Sequence, residues 1–161
     1  MIQRSDGYSW VFGMIRNILV VCVGNICRSP LGERILQRQL PDLRVTSAGI
    51  GALVGHSADT TAAEVAALHG ISLDGHVARQ FNAEIGREND LILVLEPGHK
   101  AQIARETPQL SGKIMLLDHW IGAKGIADPY RKSQEFHEAV FQQIEAAAHS
   151  WVQRLAPKGK V

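Results

Sequence analysis

The chain has 161 residues, of which 45% are hydrophobic, and its 17 basic and 16 acidic residues leave a formal net charge of +1. This balance argues against a nucleic-acid binder that depends on phosphate contacts, and the apolar runs fall short of the roughly 20 residues of a membrane span. The length is typical of one domain. Two cysteines, Cys22 and Cys27, are too few for a secreted disulfide scaffold and predict a reducing compartment, the cytoplasm.

The N-terminal stretch shows neither the apolar segment nor the small-residue cleavage site of a signal peptide. We predict that residues 1–14 form a disordered extension, or that translation begins at Met14. No repeat, low-complexity block or linker divides the remainder of the sequence. Residues 15–157 are therefore predicted to form a single domain.

Four apolar runs predict strands, and in chain order they cover residues 17–23, 43–47, 91–95 and 113–117. Helices are predicted between and after them: one from Ser29-Pro30 onwards, one over 58–69 before Gly70, one over 97–106, and a last one with Ser133 as N-cap. Leu68 and Phe136 are expected on the buried faces of the second and last helices. The alternation predicts an α/β fold: a four-stranded parallel sheet flanked by helices on both faces.

The loop after the first strand lies at the carboxyl end of the sheet, where open α/β sheets bind their ligands. It has the sequence Cys22-Val23-Gly24-Asn25-Ile26-Cys27-Arg28-Ser29 and leads directly into a helix. Such a loop points several backbone N–H groups inward, and the helix dipole adds positive potential. Gly24 and Asn25 can adopt the positive φ values that a tight curl requires. The loop is therefore predicted to bind a phosphate-sized anion.

Three side chains of this loop suit phosphate chemistry. Arg28 offers a planar set of donors that matches two phosphate oxygens. The positive field of the loop favours Cys22 as the nucleophilic thiolate, and Ser29 is placed to donate a hydrogen bond to the sulfur. The pattern differs from the nucleotide-binding loop GxxxxGK[ST], which contains no cysteine.

The segment VCVGNICRSP resembles the signature of the low-molecular-weight protein tyrosine phosphatases. Further landmarks follow in the expected order: Ser47-Ala48-Gly49, Leu68-His69-Gly70-Ile71, His76-Val77-Ala78-Arg79-Gln80 and Ala127-Asp128-Pro129-Tyr130. The segments SAGIGALVG and DPYRKS resemble the bacterial branch of the family, which acts with tyrosine kinases of capsule and exopolysaccharide export. The resemblance extends over nearly the whole chain and implies a phosphotyrosine phosphatase.

The resemblance implies a role for each matching residue. Cys22 would be the nucleophile that forms a phosphocysteine intermediate, Arg28 would hold the phosphate oxygens, and Asp128 would be the general acid and then the general base. The loop amides would bind the same oxygens, which makes the expected substrate-binding residues Val23, Gly24, Asn25, Ile26, Cys27 and Ser29. Ser29, Ser47 and His76 would support the loop by holding Asn25.

Several residues near this site permit more than one interpretation. Tyr130 is expected to line the rim and stack on a substrate ring, and Leu53 stands where eukaryotic relatives usually carry a bulky aromatic residue, so the pocket wall there should differ. Trp120 either shapes the rim or packs in the core. Cys27 is a small buried side chain, or a thiol that traps oxidised Cys22 as a reversible disulfide, and the two interpretations are compatible.

The predicted function is a protein-tyrosine phosphatase that requires no metal and no organic cofactor, because the histidines show no metal-binding spacing. Phosphotyrosine proteins, above all a bacterial tyrosine autokinase, are the expected partners, without nucleic acid or membrane insertion, and phosphate and vanadate are expected to inhibit. Two alternatives stay open: an arsenate reductase on the same scaffold, which would need cysteines beyond Cys27, and a non-catalytic phosphate or phosphotyrosine-binding module. Arg131 and Lys132 either recognise acidic substrate tails or form a solvated helix start.

Overall fold

The computed structural model describes residues 12–156, which form a parallel sheet and the helices that connect its strands. The elements in chain order are β1 (Asn17–Cys22), α1 (Arg28–Gln39), β2 (Arg44–Gly49), α2 (Thr60–Leu68), α3 (Ala83–Glu88), β3 (Leu91–Val94), α4 (Pro97–Glu106), a 3-10 helix (Pro108–Lys113), β4 (Ile114–Leu116) and α5 (Gln134–Leu155). The strand order is β2-β1-β3-β4, and every neighbouring pair is parallel. The predicted α/β fold with a four-stranded parallel sheet is confirmed.

Helices cover both faces of the sheet, as the apolar character of β1 and β3 requires. Along β1, Ile18, Val20 and Cys22 belong to the core on one face, which is completed by α1, α2 and α5. The alternate residues Leu19 and Val21 belong to the second core, which is completed by α3, α4 and the 3-10 helix. The buried strand β1 therefore ends at the centre of the sheet edge, directly before the candidate loop.

The strand β2 continues further than the sequence predicts, to Gly49 instead of residue 47. Its register pairs Val20 with Ser47 and Cys22 with Gly49, so the additional residues lie beside the start of the candidate loop. The other strands end close to their predicted bounds, and the second helix begins at Thr60, after Asp59 as N-cap.

Two predictions of buried side chains are wrong. Leu68 is 73% exposed, since it lies about 200° around α2 from the buried Ala66. Phe136, in the first turn of α5, is 37% exposed, because the buried stripe of that helix begins one residue later, at His137. The sequence analysis also missed α3 and the 3-10 helix.

An aromatic cluster joins the N-terminal end of the described chain to the loop after β4. The ring of Phe12, which is buried, meets Trp120 and Trp151 edge to face, with centroids 6.1 and 5.9 Å apart. The indole N–H of Trp151 donates to the carbonyl oxygen of Leu117 at 2.8 Å. Trp120 thus packs within this cluster. Phe12 packs there too, although it lies inside the stretch predicted to be disordered.

Most of that stretch, residues 1–11, and residue 157 lie outside the described range. Over residues 12–156, no helix has the combination of length and apolar character that crossing a bilayer requires.

Candidate active site

The loop between β1 and α1 has its carbonyl groups bonded to surrounding segments. Five consecutive carbonyl oxygens accept hydrogen bonds of 2.6–3.0 Å from outside the loop. The pairs are Cys22 O with Ile50 N, Val23 O with Gly51 N, Gly24 O with Leu53 N, Asn25 O with His76 Nε2, and Ile26 O with Asp59 N. By contrast, the N–H groups of residues 24–27 donate to no acceptor within residues 12–156. The loop therefore presents unpaired backbone donors next to the N-terminus of α1, an arrangement that binds anions.

Asn25 holds the loop in this conformation from inside. Its side chain is fully buried, and Nδ2 donates to Ser29 Oγ at 2.8 Å and to Ser47 Oγ at 3.0 Å. Its Oδ1 accepts from the backbone N–H of Arg79 at 2.9 Å. The structure thus brings the predicted partners Ser29, Ser47 and His76 to Asn25, and adds Arg79, whose Nε donates to the Ser47 carbonyl oxygen.

Backbone conformation explains two residue choices at the loop. Of the two loop residues that can adopt a positive φ, Asn25 does so, with φ 57°, and Gly24 does not. At the end of β2, a Cβ on Gly49 would lie 2.2 Å from the Val23 carbonyl oxygen. Only glycine therefore allows the loop to approach β2 this closely.

Cys22, the last residue of β1, carries a free thiol that forms no disulfide. It is 2% exposed, and its Sγ lies 2.9 Å from Ser29 Oγ, at hydrogen-bond distance for either direction of donation. A hydroxyl that donates to the sulfur stabilises the thiolate, the form that acts as a nucleophile.

The buried guanidinium of Arg28 is oriented by two acceptors that belong to other segments. Its Nη1 donates to Glu96 Oε2 at 2.8 Å and to the carbonyl oxygen of Ile126 at 2.7 Å. Both hydrogens of Nη1 are thereby used, which leaves Nε and Nη2 as the edge available to an anion.

Glu96 is a residue of this site that the sequence analysis missed. It follows β3, the neighbour of β1, at the carboxyl end of the sheet, and this position is the signal that would have found it. Its Oε2 also lies 3.0 Å from Nε2 of the buried His99. Burial lowers the pKa of His99 and the charge of Arg28 lowers it further, against the opposing carboxylates of Glu96 and Asp128. His99 is thus favoured as a neutral donor to Glu96.

Asp128 lies beside Arg28. Its Oδ2 is 3.7 Å from Arg28 Nη2, and its Oδ1 accepts a hydrogen bond from the backbone N–H of Tyr130 at 3.0 Å. Its side chain is 48% exposed, so water reaches it from outside. This carboxyl group is therefore placed between solvent and the anion site.

The segment that carries Asp128 is braced at two points. Oδ2 of the buried Asp118 accepts from the backbone N–H groups of Lys124 and Gly125 at 3.1 and 2.9 Å. Further along, Ile126 N donates to the carbonyl oxygen of Leu95 at 2.8 Å. These bonds attach the segment to the carboxyl end of the sheet two residues before Asp128.

The rim of the site combines exposed apolar side chains with Tyr130. Val23 and Leu53 are 38% and 37% exposed, and the backbone N–H of Leu53 is bonded to the carbonyl oxygen of Gly24. Tyr130 is 38% exposed, and the guanidinium carbon of Arg131 lies 5.1 Å from its ring centroid. Leu53 is thus bonded to the loop and Tyr130 is partly exposed two residues after Asp128, and their role at the rim stays a prediction.

Ile26 and Cys27 point into the protein interior, where both are buried. Burial raises the pKa of the Cys27 thiol, and the negative charges of Asp59 and Asp128 raise it further. The protonated thiol is thus favoured at Cys27, and its burial agrees with its interpretation as a small buried side chain. Its disulfide with Cys22 stays a prediction.

Comparisons with known proteins identify the family. A family model described as low molecular weight phosphotyrosine protein phosphatase matches residues 17–161. The chain belongs to this family. It is 52% identical to the low molecular weight protein-tyrosine-phosphatase Etp of Escherichia coli K12 over 87% of this chain and 95% of Etp. It is 53% identical to Wzb of the same strain over 88% of this chain and 97% of Wzb.

A solved structure shows the same fold in a related phosphatase. The structure of Vibrio vulnificus Wzb in complex with benzylphosphonate matches with a TM-score of 0.86 and 45% identity, over 88% of this chain and 99% of that chain. Together with the family match, these similarities identify the chain as a low-molecular-weight protein-tyrosine phosphatase, an enzyme that acts on phosphotyrosine proteins.

Glu96→Gln tests whether this carboxylate positions Arg28. We expect kcat on an aryl phosphate to fall by about tenfold, because the guanidinium exchanges a charged carboxylate acceptor for the weaker, neutral amide oxygen of glutamine. Competitive inhibition by phosphate should weaken much less, since removal of a negative charge beside the site favours anion binding. Steady-state kinetics with phosphate as inhibitor measures both effects.

The matched control is Glu106→Gln, at the opposite end of α4, which should keep the wild-type kcat. An unchanged kcat in Glu96→Gln, or parallel losses of kcat and phosphate affinity, would contradict the positioning role.

Proposed function

We propose that the protein hydrolyses phosphotyrosine through a cysteinyl phosphate on Cys22. In the first displacement the thiolate Sγ attacks phosphorus, the S–P bond forms and the bond to the tyrosyl oxygen breaks. Asp128, as the carboxylic acid, gives its proton to the leaving phenolate. In the second displacement Asp128 takes a proton from water, the water oxygen attacks phosphorus, and the S–P bond breaks to release phosphate and thiolate.

The observation that carries this proposal is the set of unpaired donors around Cys22. In the segment that directly follows Cys22, the N–H groups of residues 24–27 and the Nε and Nη2 edge of Arg28 have no hydrogen-bond acceptor within residues 12–156. Three equatorial oxygens of a phosphoryl group in transfer need such donors, and fixed dipoles stabilise their charge without reorganisation. Backbone N–H groups without an acceptor cost free energy, so an ordinary βα connection is not expected to leave four of them in succession unpaired.

The position of Asp128 supports its role as acid and base. Its carboxyl group lies near Arg28, which would hold the phosphoryl oxygens, and its exposed side is open to water. The Tyr130 N–H bond to Oδ1 leaves Oδ2 available for a proton. A placed general acid contributes about 10²- to 10⁴-fold to such a reaction.

We further propose that the physiological substrate is a bacterial tyrosine autokinase of capsule or exopolysaccharide export. Support comes from the segments SAGIGALVG and DPYRKS, which resemble the corresponding branch of the family, and from the similarity to Etp and Wzb. The two free thiols, which form no disulfide, support a reducing compartment, and we propose the cytoplasm.

Hydrolysis of p-nitrophenyl phosphate tests the proposed reaction. We expect time-dependent release of p-nitrophenol that vanadate suppresses, because vanadate occupies the same donors as the transferring phosphoryl group. A phosphate-binding module without catalysis would bind the anion and release no product. Absence of turnover over a range of pH would overturn the proposal.

A further inference from the structure

Arg131 is held in an unusual conformation at the rim of the site. It has φ 61°, in the left-handed region that residues other than glycine adopt at a cost in free energy. Its guanidinium carbon lies 5.1 Å from the centroid of the Tyr130 ring, within the range of a cation–π contact. The backbone conformation of Arg131 and its contact with the Tyr130 ring therefore fix the position of this guanidinium.

The charge of Arg131 has no partner of its own in the described part of the chain. No hydrogen bond or ion pair joins its guanidinium to any of residues 12–156. The guanidinium groups of Arg28, Arg34 and Arg79 all bond to carbonyl or carboxylate oxygens. An exposed arginine that is positioned yet unpaired leaves a planar set of donors open to an incoming anion.

Arg131 also lies at a defined place relative to the reaction centre. The backbone N–H of Tyr130 bonds to Asp128 Oδ1, and Asp128 Oδ2 lies 3.7 Å from Arg28. The neighbouring Lys132 adds a second exposed cation. Across the opening, residues 50–58 contain no acidic or basic residue other than His56. The cations of the rim are thus concentrated on the Tyr130 side.

We propose that Arg131 recognises a carboxylate side chain that lies next to the phosphotyrosine in the substrate. This inference rests on the proposed function, because the phosphotyrosine must first occupy the loop of Cys22. With its phosphate bound there and its ring beside Tyr130, the residues flanking the phosphotyrosine lie at the rim, within reach of the guanidinium. Aspartate or glutamate at a flanking position accepts two parallel hydrogen bonds from that planar group.

Phosphotyrosyl peptides of one sequence test the proposal. They carry Asp, Asn or Lys on either side of the phosphotyrosine, and an additional peptide carries a second phosphotyrosine in place of Asp. We expect kcat/KM for an Asp peptide to exceed that for its Asn counterpart by about two- to fivefold at low ionic strength, which is the size of an exposed ion pair. The preference should fade in high salt.

Substitutions at Arg131 should change this preference. The Asp/Asn ratio should approach one in Arg131→Gln, and Arg131→Lys should keep part of it, since lysine has the charge without the planar pair of donors. The matched control Arg105→Gln, at the C-terminal end of α4, should keep the wild-type ratio.

Each contrary outcome is distinct. Equal rates on the Asp and Asn peptides in the wild type, or an unchanged ratio in Arg131→Gln, would overturn the inference. A preference confined to the doubly phosphorylated peptide would replace carboxylate recognition by phosphate recognition and overturn it too. Hydrolysis of p-nitrophenyl phosphate by the wild type is measured in parallel, because only its absence would count against the proposed function itself.

Discussion

Cys22→Ser is expected to lower kcat on p-nitrophenyl phosphate by at least about 10⁴-fold, the scale on which loss of a catalytic nucleophile acts. A serine hydroxyl in the same position is not ionised near neutral pH and attacks phosphorus poorly. Phosphate affinity should change little, because the N–H groups of residues 24–27 and the free edge of Arg28 remain in place. Steady-state assays and calorimetric titration with phosphate measure the two quantities.

A covalent intermediate provides the control for this experiment. Mass spectrometry of acid-quenched reactions should find a phosphate group on Cys22 in the wild type and in Cys27→Ser, and none in Cys22→Ser. A phosphorylated Cys27, or retained turnover in Cys22→Ser, would refute the assignment of the nucleophile.

The same variant examines the proposed partner, since it binds phosphotyrosine without turning it over. Immobilised Cys22→Ser should retain a tyrosine-phosphorylated autokinase from cells of the source organism, and vanadate should release it by competition. Repeated captures that contain no such kinase would count against the partner and leave the proposed chemistry unaffected.

Asp128→Ala should slow hydrolysis of a poor leaving group by about 10²- to 10⁴-fold, because the phenolate departs without a proton. A good leaving group such as p-nitrophenolate needs little protonation, so its formation should slow much less. The wild type should show a bell-shaped rate profile on the acid side of neutral, since it works with Cys22 ionised and Asp128 protonated. The alkaline limb of this profile should disappear in Asp128→Ala.

Rates on phenyl phosphate and p-nitrophenyl phosphate over a range of pH measure both effects. Asp42→Ala is the matched control, because Asp42 precedes β2 at the amino end of the sheet, away from the site. A loss that is equal for both leaving groups would exclude Asp128 as the general acid.

The elements that were well predicted carry local signals. Helix α4 starts at Pro97, whose missing N–H costs nothing there, and α5 starts after Ser133, whose Oγ accepts from Phe136 N. Helix α3 has only six residues and a single buried one, Gly86, so no periodic pattern marks it. A Cβ on Gly86 would lie 2.4 Å from Leu110, and such a close approach is visible only in three dimensions.

The candidate site divides in the same way. Cys22, Asn25, Arg28 and Ser29 stand within eight consecutive residues, where spacing and residue type indicate phosphate chemistry. Asp128 was identified through its Asp-Pro motif and the family resemblance, although only the fold brings it beside Arg28. Glu96 and His99 lie in a segment that the sequence describes as an ordinary helix start, and they were missed.

By itself the sequence determined the buried strands, the candidate anion-binding loop and the residues within it, because these depend on neighbours along the chain. The tertiary structure decided which contacts fix the conformation of that loop and the orientation of the Arg28 guanidinium. Its carbonyls bond to segments that follow β2, and Nη1 of Arg28 bonds to acceptors 68 and 98 residues away. Contacts at such separations depend on how strands align at the carboxyl edge of the sheet, and a local pattern of residues does not contain that alignment.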